Sequence, residues 1–241
     1  MTRAPIFPPL MTGLAAGPAN PFAIACDQAR RGVDAGLLTW SLSDERLRAA
    51  LVLAPEVMLD RAMAGVVACA VGLQNALGAL APPETAVHLD WPGGVRLNGA
   101  HCGAFHVACE TRDPGAVPGW LVVAWDLTLR LPPEWEPGEH PDRTALDQEG
   151  CTEIDPVDLL EAWARHSLLW LSTLEEEKGR TDLAREWQGL AWNLGGAVTI
   201  AMDGTRLAGT FLGADEHFGM LLKTPEGQTR LIPLSHMIEE V

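Results

Sequence analysis

Residues 90–105 read Asp-Trp-Pro-Gly-Gly-Val-Arg-Leu-Asn-Gly-Ala-His-Cys-Gly-Ala-Phe. Asn98-Gly99 supplies the two positive-φ positions that a two-residue hairpin requires, between the strand residues Val95–Leu97 and the run that opens at Ala100. Trp91-Pro92 closes a preceding strand that starts near Val87, because proline cannot donate to a continuing ladder. The strand pattern persists to Leu129, with a further strand from Trp120 introduced by a Pro/Gly-rich turn at Asp113–Gly119.

Upstream of this sheet region, Asn20-Pro21 reads as an N-cap followed by proline at the first helical position, opening a short helix that stops at Gly32. Gly36–Ser41 and Ala49–Ala54 are short apolar runs, hence strands, joined by the turn Ser43–Arg46. Val57–Leu80 is apolar on most of its faces and predicts a central core helix, ended by Pro82-Pro83. Downstream, residues 131–150 form an acidic, proline-rich excursion over the surface, long enough to serve as a flap. Asp155-Pro156 repeats the capped-helix signature and opens a helix to about Glu177, with Leu160, Trp163, Ser167, Trp170 and Leu174 on one stripe. A second helix follows at Asp182–Gln188. The chain closes with short strands near Ala197–Met202, Arg206–Leu212, Gly219–Lys223 and Thr229–Ile232, separated by turn residues, which suggests a small β-barrel. The fold class is α+β: a mixed sheet with helices over residues 1–185, then a small barrel over residues 186–241.

Composition narrows the function. The formal charge of −15 and the lack of a basic run beyond Arg30-Arg31 argue against nucleic acid. No uninterrupted apolar run has membrane-spanning length, and the N-terminus does not read as a signal peptide, so a cytoplasmic chain with its 5 cysteines reduced is expected. His101, Cys102, His106 and Cys109 resemble a metal set as text. On an extended strand, however, Cys102 and His106 lie ~13 Å apart, whereas zinc draws its donors to ~2.0–2.3 Å from one point; no metal site is expected. No serine nucleophile elbow, phosphate-binding Gly loop or zinc-protease histidine pair is present.

The order of elements, with Trp91-Pro92 after a strand and a hairpin next, resembles the biotin-protein ligases and the wider biotin/lipoate ligase group. The resemblance runs from about Ala19 to Val241. Those ligases carry Lys-Trp-Pro-Asn-Asp where this chain has Asp90-Trp91-Pro92-Gly93-Gly94. Their Lys-x-Ala-Gly-Ile hairpin strand corresponds to Ala100–Phe105, and their Gly-Ile-Gly-Ile-Asn strand to Val123–Leu127. The resemblance implies a class II synthetase-like mixed sheet with an SH3-like barrel at its end. It also implies a chemistry: ATP-dependent joining of a carboxylic acid to AMP, then transfer to a lysine of a carrier protein. ATP and Mg would be required only if that activity is retained, with biotin, lipoate or octanoate as the acid.

The departures fall on the charged groups. The two lysine positions hold Asp90 and His101, and only Ser43–Arg48 stands where an Arg/Gly-rich phosphate loop belongs. By correspondence, His101 is the candidate catalytic group, a partly charged substitute for lysine. Trp40, Arg46, Arg48, Asp90, Trp91, Pro92, Gly93, Gly94, Gly103, Ala104, Trp125 and Asp126 are the candidate ligand-binding residues. Trp40, Trp91 and Trp125 either wall an apolar acyl pocket or plug it, whereas Trp163, Trp170 and Trp187 belong to packing. Three readings stand: a ligase with weakened or altered chemistry, a non-catalytic binder of a small acid or adenylate, and a protein-interaction module. The excursion and the barrel leave room for a homodimer.

Overall fold

The computed structural model describes residues 3–132, 135, 139–202 and 205–240. Strands β1 (Thr12–Ala15), β2 (Leu37–Leu42), β3 (Arg46–Leu53), β4 (Val87–Asp90), β5 (Gly94–Leu97), β6 (Ala100–Cys109) and β7 (Leu121–Thr128) form one sheet in the order β1-β2-β3-β7-β6-β5-β4. The β1–β2 pair is parallel and the other pairs are antiparallel, so the sheet is mixed. Asn98 and Gly99 both have positive φ, 47° and 93°, as the β5–β6 hairpin demands. The β2–β3 turn is equally tight: Ser43 bonds Arg46 in both directions, leaving no space there for a longer loop.

Helix α1 (Pro21–Arg30) lies on one face of the sheet. Asn20 caps it by accepting from the Phe22 N–H at 3.0 Å. Its first turn is fixed over the sheet by the fully buried Thr39, whose hydroxyl donates to the Pro21 carbonyl at 2.7 Å. The opposite face carries α2 (Leu59–Ala62), α3 (Ala64–Leu80) and α4 (Pro156–Thr173) over the larger core. The single helix expected over Val57–Leu80 is thus two pieces meeting at Met63. Leu59 and Asp60 donate their N–H groups to Ala116 and Pro114, and Val66 N–H bonds back only three residues to Met63, which tightens the joint. By length and composition Leu59–Leu80 could cross a membrane, yet 67% of its most apolar window is buried inside the protein.

Helix α5 (Gly179–Leu190) starts where only glycine fits: a Cβ on Gly179 would stand 1.7 Å from the Thr173 carbonyl oxygen. It runs across the division expected at 185/186 and carries Trp187 edge-on to Phe211 and Phe218, 6.3 Å from each. Phe211 lies in β9 and Phe218 in the β9–β10 turn of the second sheet, β11-β10-β9-β8, antiparallel throughout. Its strands are β8 (Ala197–Met202), β9 (Thr205–Ala214), β10 (Met220–Lys223) and β11 (Thr229–Ile232), with a 3-10 turn at Leu234–Met237 after them. The barrel-like unit anticipated at the C-terminus is this four-stranded sheet; the turn expected at Asp203-Gly204 lies outside the described residues.

Three further differences from the sequence reading have physical causes. Strand β1 is exposed along its whole length and shows no apolar alternation, so nothing in its own residues marks it. Strand β3 begins at Arg46 rather than Ala49, because its first arginines lie on an uncovered face. The excursion after Leu131 is a surface path only in part. Arg143 pairs beside His101, and Thr144, Ala145 and Leu146 are buried, with Leu146 in the main core.

Helices α3 and α4 approach closely where Gly72 of α3 faces Ser167 of α4. A Cβ on Gly72 would stand 2.6 Å from Ser167 Oγ and 2.8 Å from its backbone nitrogen. Gly72→Ala gains about 1 kcal/mol of helix propensity but overpacks a contact made partly by backbone, which costs about 1–3 kcal/mol. Overpacking wins, and the variant should unfold at lower denaturant; a midpoint at or above wild type would mean the helices have room to part.

Candidate functional site

The pleat of β3, β6 and β7 sorts their side chains between two faces. Leu47, Ala49, Phe105, Val107, Trp125 and Leu127 join the core under α3 and α4, while Ala50, Val52, Ala108, Val122 and Ala124 pack under α1. Past the N-terminus of α1 no helix among the described residues covers this second face, and there Arg46, Arg48, Ala104, His106 and Asp126 line an open cleft. One lobe, of ≈ 300 Å³, lies beside Asn20, Pro21, Phe22, Arg48, His106 and Glu239. The other, of ≈ 510 Å³, lies beside His101, Gly103, Ala104, Trp135 and Arg143. Arg46 and Asp126 line both lobes.

A chain of charges crosses the cleft. Asp126 accepts from Arg46 through Oδ2, and its Oδ1 lies 3.1 Å from His106 Nε2. His106 Nδ1 lies 2.7 Å from Glu239 Oε1. The hydrogen bond to Asp126 is the main force pushing the imidazole up to about 8; burial opposes it and Glu239 adds to it. The Phe22 ring packs 6.0 Å from the imidazole. Arg48, on the same face, has no ion pair among the described residues. Gly103 permits the close β6–β7 approach behind this chain, since a Cβ there would fall 2.0 Å from the Asp126 carbonyl oxygen.

Asp90 and His101 sit across the β4–β5–β6 hairpins, and Arg96 binds them together. Its Nε donates to Asp90 Oδ2 at 3.0 Å and its Nη1 to the Gly99 carbonyl at 2.7 Å. Its Nη2 lies 2.9 Å from the same Asp90 oxygen and 2.6 Å from His101 Nε2. The guanidinium lies 5.0 Å from the Trp192 ring centroid, which closes the cluster from the other side. Because a guanidinium can only donate, His101 Nε2 must be the unprotonated nitrogen. Burial first, and Arg96 next, push the His101 pKa down. The partly charged group expected at this position is therefore held as a neutral imidazole.

The other candidates divide between the cleft and the packed side. The Trp91-Pro92 peptide is cis, and Trp91 turns into the joint between the two sheets, donating its indole N–H to the Phe218 carbonyl at 3.0 Å. Pro92, Gly93 and Gly94 line the small apolar space of ≈ 20 Å³ at that joint. Gly94 also lets the β4–β5 turn close, as a Cβ there would stand 2.8 Å from that of Asp90. Trp125 is fully buried against Trp163, ring centroids 5.3 Å apart, and half-buried Trp40 packs on the same core. Trp91 borders the small space at the joint and Trp125 borders the first lobe of the cleft, and both, like Trp40, belong to or pack on the main core. Their positions along the strands were readable from the sequence, but the face they point to was not.

Among the cleft residues without a reading as ligand groups beforehand are His106, considered only for metal, and Glu239. Among the described residues no three His, Cys, Asp or Glu side chains converge as a metal set. Cys102 faces the core, where burial pushes its thiol up to about 12, far from the thiolate a metal needs.

The fold has known counterparts. The sequence profile of the biotin/lipoate A/B protein ligase family matches residues 7–189, and that of a domain of unknown function (DUF4444) matches residues 194–240. No functionally curated protein matches the sequence. Among solved structures, a biotin protein ligase-like protein of unknown function from Silicibacter sp. is 52% identical over 98% of this chain and 100% of its own, with a TM-score of 0.90. An arginine-to-glycine mutant of the biotin protein ligase from Aquifex aeolicus, in complex with biotin, is 16% identical over 93% of this chain and 96% of its own, with a TM-score of 0.71. The same ligase in complex with biotin and ATP is 17% identical over 92% and 95%, with a TM-score of 0.67. At such identity the Aquifex structures speak for the fold alone, but the profile spans most of the chain and agrees with the mixed sheet and the Trp91-Pro92 hairpin, so this chain belongs to the biotin/lipoate A/B protein ligase family.

Proposed function

We propose that the protein binds a small carboxylic acid of the biotin, lipoate or octanoate kind, or its adenylate, in the open cleft, and that it forms acyl-adenylates very weakly or not at all. The observation that carries this reading is the Asp90–Arg96–His101 cluster. Acyl-adenylate formation builds negative charge on phosphate and carboxylate oxygens, which fixed cations stabilise; losing one such donor typically costs about 100- to 1,000-fold in rate. Here the positions that correspond to the family's lysines hold a carboxylate and a neutral imidazole. One nearby cation, Arg96, already serves Asp90 and the Gly99 carbonyl. These residues do not fit a polyphosphate.

Binding has better support than chemistry. Arg48 is a half-buried cation on the cleft without an ion pair among the described residues, and Arg46 stands two residues away on the same strand face. A ligand carboxylate meeting Arg48 exchanges water for a charge-assisted hydrogen bond. The Aquifex relatives bind biotin, and biotin with ATP, on the same fold. The pair of cleft arginines also favours a second reading, residual ligase activity toward a carrier protein. A plugged interaction module has less support, because no strand tryptophan fills the cleft.

Calorimetric titration with biotin, lipoate and octanoate, each with and without MgATP, separates the readings. Binding of one acid, unchanged by MgATP and without pyrophosphate release, is the expected outcome; steady pyrophosphate release would replace it with the ligase reading. Arg48→Ala should weaken the acid about tenfold, and an unaltered affinity would remove Arg48 from the site.

His106 gives a pH signature. Its pKa rises on folding from 6.5 to about 8, so its contribution to stability is complete below pH 6.5 and is lost as pH rises through 8. Wild type should therefore lose denaturation midpoint relative to His106→Asn across that window. Parallel profiles for the two proteins would mean that the imidazole does not hold its proton between Asp126 and Glu239.

A further inference from the structure

The C-terminal segment returns to the first sheet. Strand β5 leaves β6 after Ala104, and the freed edge is taken by Ile238, which pairs parallel to Val107. Glu239 N–H donates to the Val107 carbonyl at 2.7 Å, Arg112 Nη2 donates to the Ile238 carbonyl at 2.8 Å, and the Ile238 side chain is buried in the core. On the tail these contacts use only backbone groups and the apolar Ile238 side chain, and none of them involves the Glu239 side chain. Its carboxylate reaches instead onto the open face, where Oε1 lies 2.7 Å from His106 Nδ1 within the lobe that Arg48 lines.

This carboxylate is not needed to anchor the tail, is 45% exposed at its side chain, and carries the functional group that the cleft's ligand would bring. We propose that Glu239 is an internal competitor: it occupies the His106 end of the cleft as a built-in carboxylate, and an incoming small carboxylic acid binds by displacing it. The inference rests on the acid-binding reading above and adds to it how the occupancy of the site is set. Displacement needs only rotation of an exposed side chain, since the backbone that carries it stays bonded to β6. Asp126 remains on the other imidazole nitrogen, so His106 keeps one carboxylate partner throughout and offers Nδ1 to whichever carboxylate is second.

The test compares full-length wild type, Glu239→Gln and Glu240→Gln by calorimetry with biotin, lipoate and octanoate. Glu240 is the control: its side chain is 93% exposed and its nearest cation is Arg112 at 3.9 Å, so its variant changes net charge equally without touching His106. Glu239→Gln should bind the acid about tenfold more tightly than wild type, with Glu240→Gln unchanged; binding seen only in Glu239→Gln supports the proposal equally. Equal affinity in wild type and Glu239→Gln, or equal tightening in both variants, would overturn the competitor and leave acid binding standing. No binding of any acid by any of the three proteins would overturn acid binding itself, and the competitor with it.

Discussion

The cleft depends on the two-residue period of β3, β6 and β7. Leu47, Ala49, Trp125 and Leu127 turn into a core sealed by α3 and α4, and the residues between them turn to a face that only α1 covers. A slip of one residue in β3 against β7 would carry Arg46 and Arg48 into the apolar core and turn Leu47 and Leu51 out of it. Buried charges that lose their partners cost several kcal/mol each, so the packing that stabilises the sheet also sets which groups meet a ligand. Helix α1 completes the arrangement by stopping at Asn20, held there by its cap and by Thr39, and so leaves the far half of the face open.

Much of the framework was legible because its signals are local. Asn20 and Asp155 cap helices with the expected backbone partners, Asn98-Gly99 turns the hairpin, and the β8 and β11 spans coincide with runs read from composition. What escaped depends on distant partners. Strand β1 is defined by pairing with β2, not by any pattern of its own. The face to which Trp40 and Trp125 point follows from which side the helices cover. The neutral state of His101 follows from Arg96 on the neighbouring strand, and Glu239 meets His106 across 133 residues of sequence. The resemblance located Asp90, His101, Arg46 and Arg48, but three-dimensional context decides which of them are engaged and which are open.

The fold and the charges on the hairpin are fixed by different contacts. The sheet order, the Trp91-Pro92 turn and the small C-terminal sheet agree with the ligase fold, while the charges on the hairpin are arranged to satisfy one another. Asp90, Arg96 and His101 form a closed set stacked on Trp192 from the inter-sheet connection, so the hairpin's charge serves cohesion between the two parts of the chain.

The apolar stretch Leu59–Leu80 bears on how the protein is made. Its cover, α4, starts at Pro156, about 75 residues after α3 ends. At ribosomal speeds of ~5–20 residues per second, the helix emerges with its sticky side bare for ~4–15 s before α4 is synthesised. During that interval the nascent chain presents a segment that membrane-insertion machinery and hydrophobe-binding chaperones are built to recognise. Correct maturation is then a race between those receptors and the arrival of Trp163 and its neighbours, and synthesis rate between residues 80 and 156 becomes a determinant of yield.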